Sequence, residues 1–266
     1  MLSTDRLERI EIDAWRDYCA AAPTSFAQAV GLETIDLDGP LLALCRRIDH
    51  YQFNRLIGAG LGSDAAGASL EIAARHFAEA GLKNGYLQVA PGPRAAILED
   101  KARAGGLKAL ERVWVKFSRG AAAASTPPTS LTISKAQPAE AMDFARAVVA
   151  GFGMPEQLAP WLAAIVGRPN WHTYVARDGD VTVGGAAMYV SGKTAWLGIG
   201  AVQASARRRG GQGALLARRI ADGLRLGVTG FATETGKPLP GEPHPSFSNI
   251  QRAGFAIAYE RRNWTL

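Results

Sequence analysis

The chain has 266 residues, of which 47% are hydrophobic and 20% charged, with a formal net charge of +6 and a sequence pI of about 9.5. That composition excludes a disordered or fibrous chain and describes an ordinary globular protein with ample core. The excess of positive charge favours anionic partners, either phosphorylated small molecules or nucleic acid. Charged side chains interrupt the opening segment MLSTDRLERIEIDAWRDY, so no signal peptide is expected, and no window reaches the length of a transmembrane helix. Cys19 and Cys45 have no ligand-like spacing, which predicts reduced structural thiols in a cytoplasmic protein without a membrane partner.

In chain order, the first clear unit is FNRLIGAGL, a strand running into a glycine turn, followed by the helix ASLEIAARHFAEAG and the strand YLQVAP. Residues 120–130, GAAAASTPPTS, carry no amphipathic face and read as a linker, which divides the chain into domains at 1–119 and 131–266. The second half opens with the strand LTISKA and the helix PAEAMDFARAVVAGF, whose proline suits a first helical turn. PEQLAPWLAAIVG follows as a helix interrupted by Pro160. The strands HTYVARD, VTVGGAAMYV and TAWLGIGAV are joined by the turns DGD and SGK. An arginine-rich helix, the strand VTGFATET, the short helix SFSNIQRAG and one terminal strand FAIAYERRNW complete the order. Alternating strands and helices predict an α/β (α+β) protein with mixed sheets flanked by helices. Ile57 to Gly81 also parallels Ile199 to Gly227, as expected for a duplicated fold.

The stretch ARRRGGQGALLARRI, residues 206–220, places three arginines and two glycines where a helix begins. A helix N-terminus already carries partial positive charge and unpaired N–H groups, so added arginines are favourable only if an anion sits there. Backbone N–H groups of such a loop can hold a pyrophosphate, and the guanidinium groups can bind a further phosphate. GSDAAG, the matching loop of the first half, lacks the arginines and has Asp64 where a phosphate would sit.

From Val202 to Leu216 the segment resembles motif A of the GNAT N-acetyltransferase superfamily, with Val202, Arg207, Gly210, Leu215 and Leu216 in register. Ala204 stands where proline is usual and Gln212 where glycine or alanine is usual. A rival register starting at Arg208 recovers Gly211 and Gly213 but misplaces the valine and the leucines. SFSNIQRAGF resembles motif B of the same superfamily. The resemblance implies two GNAT-like domains, the first degenerate, each a mixed, mostly antiparallel sheet flanked by helices. It implies acetyl-CoA or another acyl-CoA as co-substrate and a small-molecule or peptide amine as acceptor. The implied cofactor-binding residues are Ala201, Val202, Arg207, Arg208, Arg209, Gly210, Gly211, Gln212, Gly213, Ala214 and Asn249. The implied path for the pantetheine arm runs between TAWLGIGAV and VTGFATET, with Gly198 and Gly200 fitting either close approach of the arm or a bulge.

For catalysis, Glu234 is the candidate base, and Tyr259 is the candidate acid because the motif B position that is often tyrosine holds Ile250. GAGLGS lacks the third glycine of a dinucleotide loop, and SGKT is a hairpin turn rather than a P-loop. His50, His76, His172 and His244 do not pair at metal spacings, so no metal is expected. A non-catalytic acyl-CoA sensor is one alternative. A nucleic-acid-binding module is another, disfavoured because aromatic and basic residues are not interleaved.

Overall fold

A computed structural model describes residues 2–64 and 66–266. The first helix, α1 (Thr4–Ala20), starts where the Ser3 hydroxyl accepts the Arg6 N–H at 3.3 Å. Its Leu7, Ile10, Ala14 and Tyr18 recur at helical spacing and are buried. Next come α2 (Thr24–Val30), β1 (Leu32–Asp36), β2 (Leu41–Cys45), β3 (Arg55–Ala59), α3 (Ala68–Glu79), β4 (Tyr86–Val89), α4 (Ala95–Ala104), β5 (Lys108–Ala109) and β6 (Trp114–Gly120). After the connecting segment the chain forms β7 (Thr132–Lys135), α5 (Ala141–Phe152), α6 (Ala159–Ala163), β8 (Trp171–Asp178), β9 (Val181–Ser191) and β10 (Thr194–Val202). It ends with α7 (Gly211–Arg225), β11 (Gly230–Gly236), α8 (Pro245–Arg252), β12 (Ala256–Arg261) and β13 (Asn263–Thr265).

The strands form a six-stranded sheet, ordered β1-β2-β3-β4-β13-β5, and a seven-stranded sheet, ordered β12-β6-β11-β10-β9-β8-β7. Among the described residues only β3–β4 and β10–β11 pair in parallel, and these are the strands of the two units whose sequences resemble each other. The fold class is therefore the one expected, two mixed and mostly antiparallel sheets flanked by helices.

Each half lends a strand to the other. β6 precedes the linker yet lies between β12 and β11, with Val115 and Phe117 buried in the second half's core. The terminal segment is two strands rather than one. β12 stays in the seven-stranded sheet, and β13 crosses to lie between β4 and β5, where Trp264 is buried. Both crossings span the segment 120–130, so the pairing of the sheets does not divide where the composition changes. Pro160 also plays a different part from the one expected. It stands in the first turn of α6, where its missing N–H would have no intrahelical partner, and so it opens that helix rather than interrupting one.

Candidate active site

The arginine loop leaves β10 at Val202 and passes through a 3-10 turn, Ala204–Ala206. Arg208 and Gly210 both lie in the left-handed region, at φ 61° and 77°, and α7 begins at Gly211. Leu215 and Leu216 follow on the buried face of α7. Gly210 cannot be replaced without movement, because a Cβ there would stand 2.1 Å from the Pro128 carbonyl oxygen. The linker prolines thus pack directly on the helix start.

The three arginines part company. Arg207 turns inward, its Nε and Nη2 donating to the carbonyls of Val202 (3.2 Å) and Gly151 (2.9 Å). Arg209 turns away to Asp178, at 2.6 and 2.9 Å, and to the Ser130 hydroxyl at 2.8 Å, and this pairing holds the Asp178 carboxyl below its ordinary range. Arg208 has no hydrogen-bond partner among the described residues, and it lines a cavity of about 900 Å³. Ala201, Val202, Arg207, Gly210, Gly211, Gln212, Gly213 and Asn249 line the same cavity. Two expected contributors do not: Arg209 is drawn off by Asp178, and Ala214 is buried in the packed face of α7. Arg252, which the sequence reading passed over, joins the lining from α8 and donates to Asn249 Oδ1 at 2.6 Å. Asn249 in turn donates to Gln212 Oε1, which fastens α8 to α7.

The matching loop of the first half fills its own helix start. The Asp64 carboxylate accepts the N–H groups of Gly60 (2.9 Å) and Ser69 (3.1 Å) and the Ser69 hydroxyl. An acidic side chain there takes the place an external anion would need.

β10 and β11 pair only from Thr194↔Gly230 to Trp196↔Ala232, although both strands continue. The register of β10 on β9 shifts between Trp196 and Ile199, so the split begins at a bulge. Gly198 sits at that bulge, and a Cβ on it would stand 1.8 Å from the Trp196 ring. Behind the bulge the buried Arg219 donates to the carbonyls of Ala187, Leu197 and Ile199 at 3.0, 3.3 and 3.0 Å. Burial pushes its guanidinium down to about 10. Side chains thus satisfy these carbonyls where the β10–β11 ladder ends, the Thr233 hydroxyl of β11 also donating to the Leu197 carbonyl at 3.0 Å.

The split opens into a second cavity of about 370 Å³. It meets the basic cavity at Phe152, Gly200, Gln212, Thr235 and Ser246. Ala14, Trp15, Tyr18, Phe53, Arg55 and Tyr86 of the first half form one side, and Trp196, Leu197, Glu234 and Ile250 contribute to the other. Glu234 lines this cavity, accepting from Lys116 Nζ at 2.9 Å and from Trp196 Nε1 at 3.0 Å. Lys116 also donates to Glu11 at 2.5 Å, and Arg55 and Arg261 complete a buried network with Glu8 and Glu11. Burial would raise the Glu11 carboxyl, but the charges of Arg261, Lys116 and Arg55 hold it well below its usual range.

Tyr259 is not placed with Glu234. It lines neither cavity and donates to Glu8 Oε1 at 2.5 Å, while burial and the neighbouring carboxylates push its hydroxyl upward. From α8, Ser246 lines both cavities, while Ile250 and the capping His244 line only the second. Ser246 lies one helical turn before Ile250, a spacing from which it was recoverable. Both cysteines are free and buried, and burial raises both thiols. Among the described residues no group of His, Cys, Asp and Glu could hold a metal ion, and no helix is long and apolar enough to cross a membrane.

No protein-family model matches the sequence, and no curated protein matches it. Solved structures do match in fold. A GCN5-related N-acetyltransferase from Kribbella flavida superposes with a TM-score of 0.65 at 15% identity, covering 100% of this chain and 96% of that one. A second, from Sphaerobacter thermophilus, gives 0.61 at 16% identity over 86% of this chain and 81% of that one. A tandem GNAT protein from the clavulanic acid biosynthesis pathway gives 0.57 at 16% identity over 85% and 78%. The chain therefore has the fold of the GCN5-related N-acetyltransferases in a tandem arrangement.

Proposed function

We propose that the protein is an acyltransferase that moves an acyl group from acyl-CoA, acetyl-CoA in the simplest case, to an amine. One observation carries this reading: a basic cavity at a helix start meets a second, mostly apolar cavity where two parallel strands separate. The first suits the phosphates of a nucleotide, the split suits a thin extended arm, and the second cavity suits an acceptor.

In this reading Arg208, Arg252 and the N–H groups at the start of α7 bind the anionic end, with Asn249 and Gln212 beside the arm. The Arg207 side chain shapes the loop by holding the Val202 and Gly151 carbonyls. A backbone N–H near Val202 would polarise the thioester carbonyl as negative charge develops on its oxygen. The acceptor amine must then lose a proton and the departing thiolate must gain one. Glu234 is the carboxylate on hand for the first step, and in the second Ser246, at the junction of the cavities, would hydrogen-bond the departing sulfur while water supplies its proton. We assign the CoA-binding unit to residues 131–266 completed by β6, and the first half to walling the acceptor cavity.

Purified full-length chain incubated with acetyl-CoA and a panel of primary amines tests the reading through release of free CoA thiol. Amine-dependent thiol release supports it. Tight CoA binding with no transfer to any amine favours the sensor reading, for which the absence of a phenol at Ile250 speaks. Salt-sensitive oligonucleotide binding without CoA binding favours the nucleic-acid module.

A further inference from the structure

The segment that joins the two halves is built into the rim of the basic cavity. Arg119, near the end of β6, donates to the Ala122 carbonyl and, at 2.7 Å, to the Ala253 carbonyl just beyond α8. Ala124 then packs against the core cluster that holds Ile250 and Phe255. Ser125 and Pro127 line the basic cavity, and neither lines the cavity at the strand split. At the far end the Thr129 hydroxyl donates to the Arg209 carbonyl at 2.6 Å and accepts the Leu131 N–H at 3.2 Å. Arg209 Nε donates in turn to the Ser130 hydroxyl at 2.8 Å. The segment is therefore a strap from the end of α8 to the start of α7.

These contacts bear on the anion loop itself. Arg209 stands between Arg208 and Gly210, both in the left-handed region, and such backbone persists at a non-glycine residue only where its surroundings hold it. Thr129 grips the carbonyl of the residue between them. Pro127 packs on the first turn of α7, where a Cβ on Gly213 would stand 2.8 Å from its Cγ. The N–H groups of Gly211, Gln212 and Gly213 open that helix, where the first N–H groups have no intrahelical acceptor. The strap thus helps to set the direction in which they point. A flexible tether would be built from glycine and serine, whereas Pro127 and Pro128 fix φ and lose little freedom when laid across a surface.

Resting on the acyltransferase reading, we propose that the joining segment is part of the donor site: Ser125 and Pro127 wall the nucleotide end of the acyl-CoA, and Thr129 is a positioning residue that holds the anion loop in its phosphate-binding shape. The arm and the acyl group lie toward the strand split, beyond the strap, so the segment acts on the nucleotide alone. Donor binding then depends on the connection between the halves and not on the second half by itself.

The test is calorimetric titration of the full chain with acetyl-CoA, adenosine 3′,5′-bisphosphate and pantetheine, with thermal melts to confirm folding. Thr129→Val keeps the side-chain size but deletes both hydrogen bonds. It should weaken acetyl-CoA and the bisphosphate alike by about three- to tenfold and leave pantetheine unchanged. Thr129→Ser keeps the hydroxyl and should restore wild-type affinity. Ser125→Gly, Thr126→Gly and Pro127→Gly together remove the wall but keep the hydrogen bonds of Thr129, and should weaken the same two ligands by at least about threefold. This second variant decides the matter if Thr129→Val fails to fold. Unchanged acetyl-CoA affinity in either folded variant, an equal loss for pantetheine, or no recovery in Thr129→Ser would overturn the proposal. The wild-type titration separates the two levels. No acetyl-CoA binding rejects the acyltransferase reading and the strap with it, whereas wild-type binding that the variants leave intact rejects the strap alone.

Discussion

If Arg208 is the phosphate-binding member of the arginine run, replacing it should weaken binding without weakening the fold. Its side chain has no partner among the described residues, and its backbone lies at φ 61°, a region costing a non-glycine residue about 1–2 kcal/mol. Arg208→Gly relieves that strain but makes the unfolded chain more flexible, an opposing effect of about 0.5–1 kcal/mol. The variant should therefore melt at the wild-type temperature or slightly above it. A charge-assisted bond is worth about 1.5–3 kcal/mol, so acetyl-CoA affinity should fall about ten- to hundredfold. Arg207→Ala makes the contrast. It leaves the Val202 and Gly151 carbonyls without their donors and should cost about 1–3 kcal/mol of stability. Calorimetric titration and thermal melts of both variants check this, and pantetheine sharpens it, since the Arg208→Gly defect should vanish for a ligand without phosphates. Unchanged acetyl-CoA affinity in Arg208→Gly, or an equal loss for pantetheine, would refute the assignment.

Lys116→Met leaves Glu11 and Glu234 buried without their shared cation and should cost about 3–5 kcal/mol, read as a shift of the urea midpoint. Glu11, held well below the usual carboxylate range by Arg261, Lys116 and Arg55, should make stability fall as pH drops below about 4.5. In that range the unfolded chain takes up the proton first, and urea titrations from pH 7 to pH 3 should show a shallower decline in Glu11→Gln. A fragment of residues 131–266 lacks β6 and so leaves β11 and β12 without the strand between them. It should lack the cooperative unfolding of the full chain by circular dichroism. Arg219→Leu removes the buried donor shared by the carbonyls of Ala187, Leu197 and Ile199 and leaves Leu197 the Thr233 hydroxyl, which should let β10 close on β11 and reduce acyl transfer by more than it reduces CoA affinity.

The element order and the anion loop were legible because they rest on local signals: glycine and proline punctuation, alternation, and arginines at a helix start. Asp64 was legible for the same reason, as a carboxylate within a helix-start loop. The strand exchange was not. WVKFS alternates correctly for a strand, but nothing local says that its partners lie beyond the linker, and the polar positions Lys116 and Ser118 disguise how deeply it is buried. The end of the chain splits at Arg262, where no glycine or proline marks a turn. The fates of the three arginines were equally hidden. Charge alone does not reveal that Asp178 captures Arg209 while two backbone carbonyls capture Arg207. Tyr259 looked available because Glu8, its partner, lies at the far end of the sequence, on the edge of an otherwise apolar helical stripe.

Calorimetric titration of the full chain with acetyl-CoA is the most direct test of the anion site at α7. One site per chain is expected, because the basic loop at α7 is open to an anion while Asp64 closes its counterpart at α3, and binding should be weaker in Arg208→Gly. No heat at all, or two equivalent sites per chain, would contradict it.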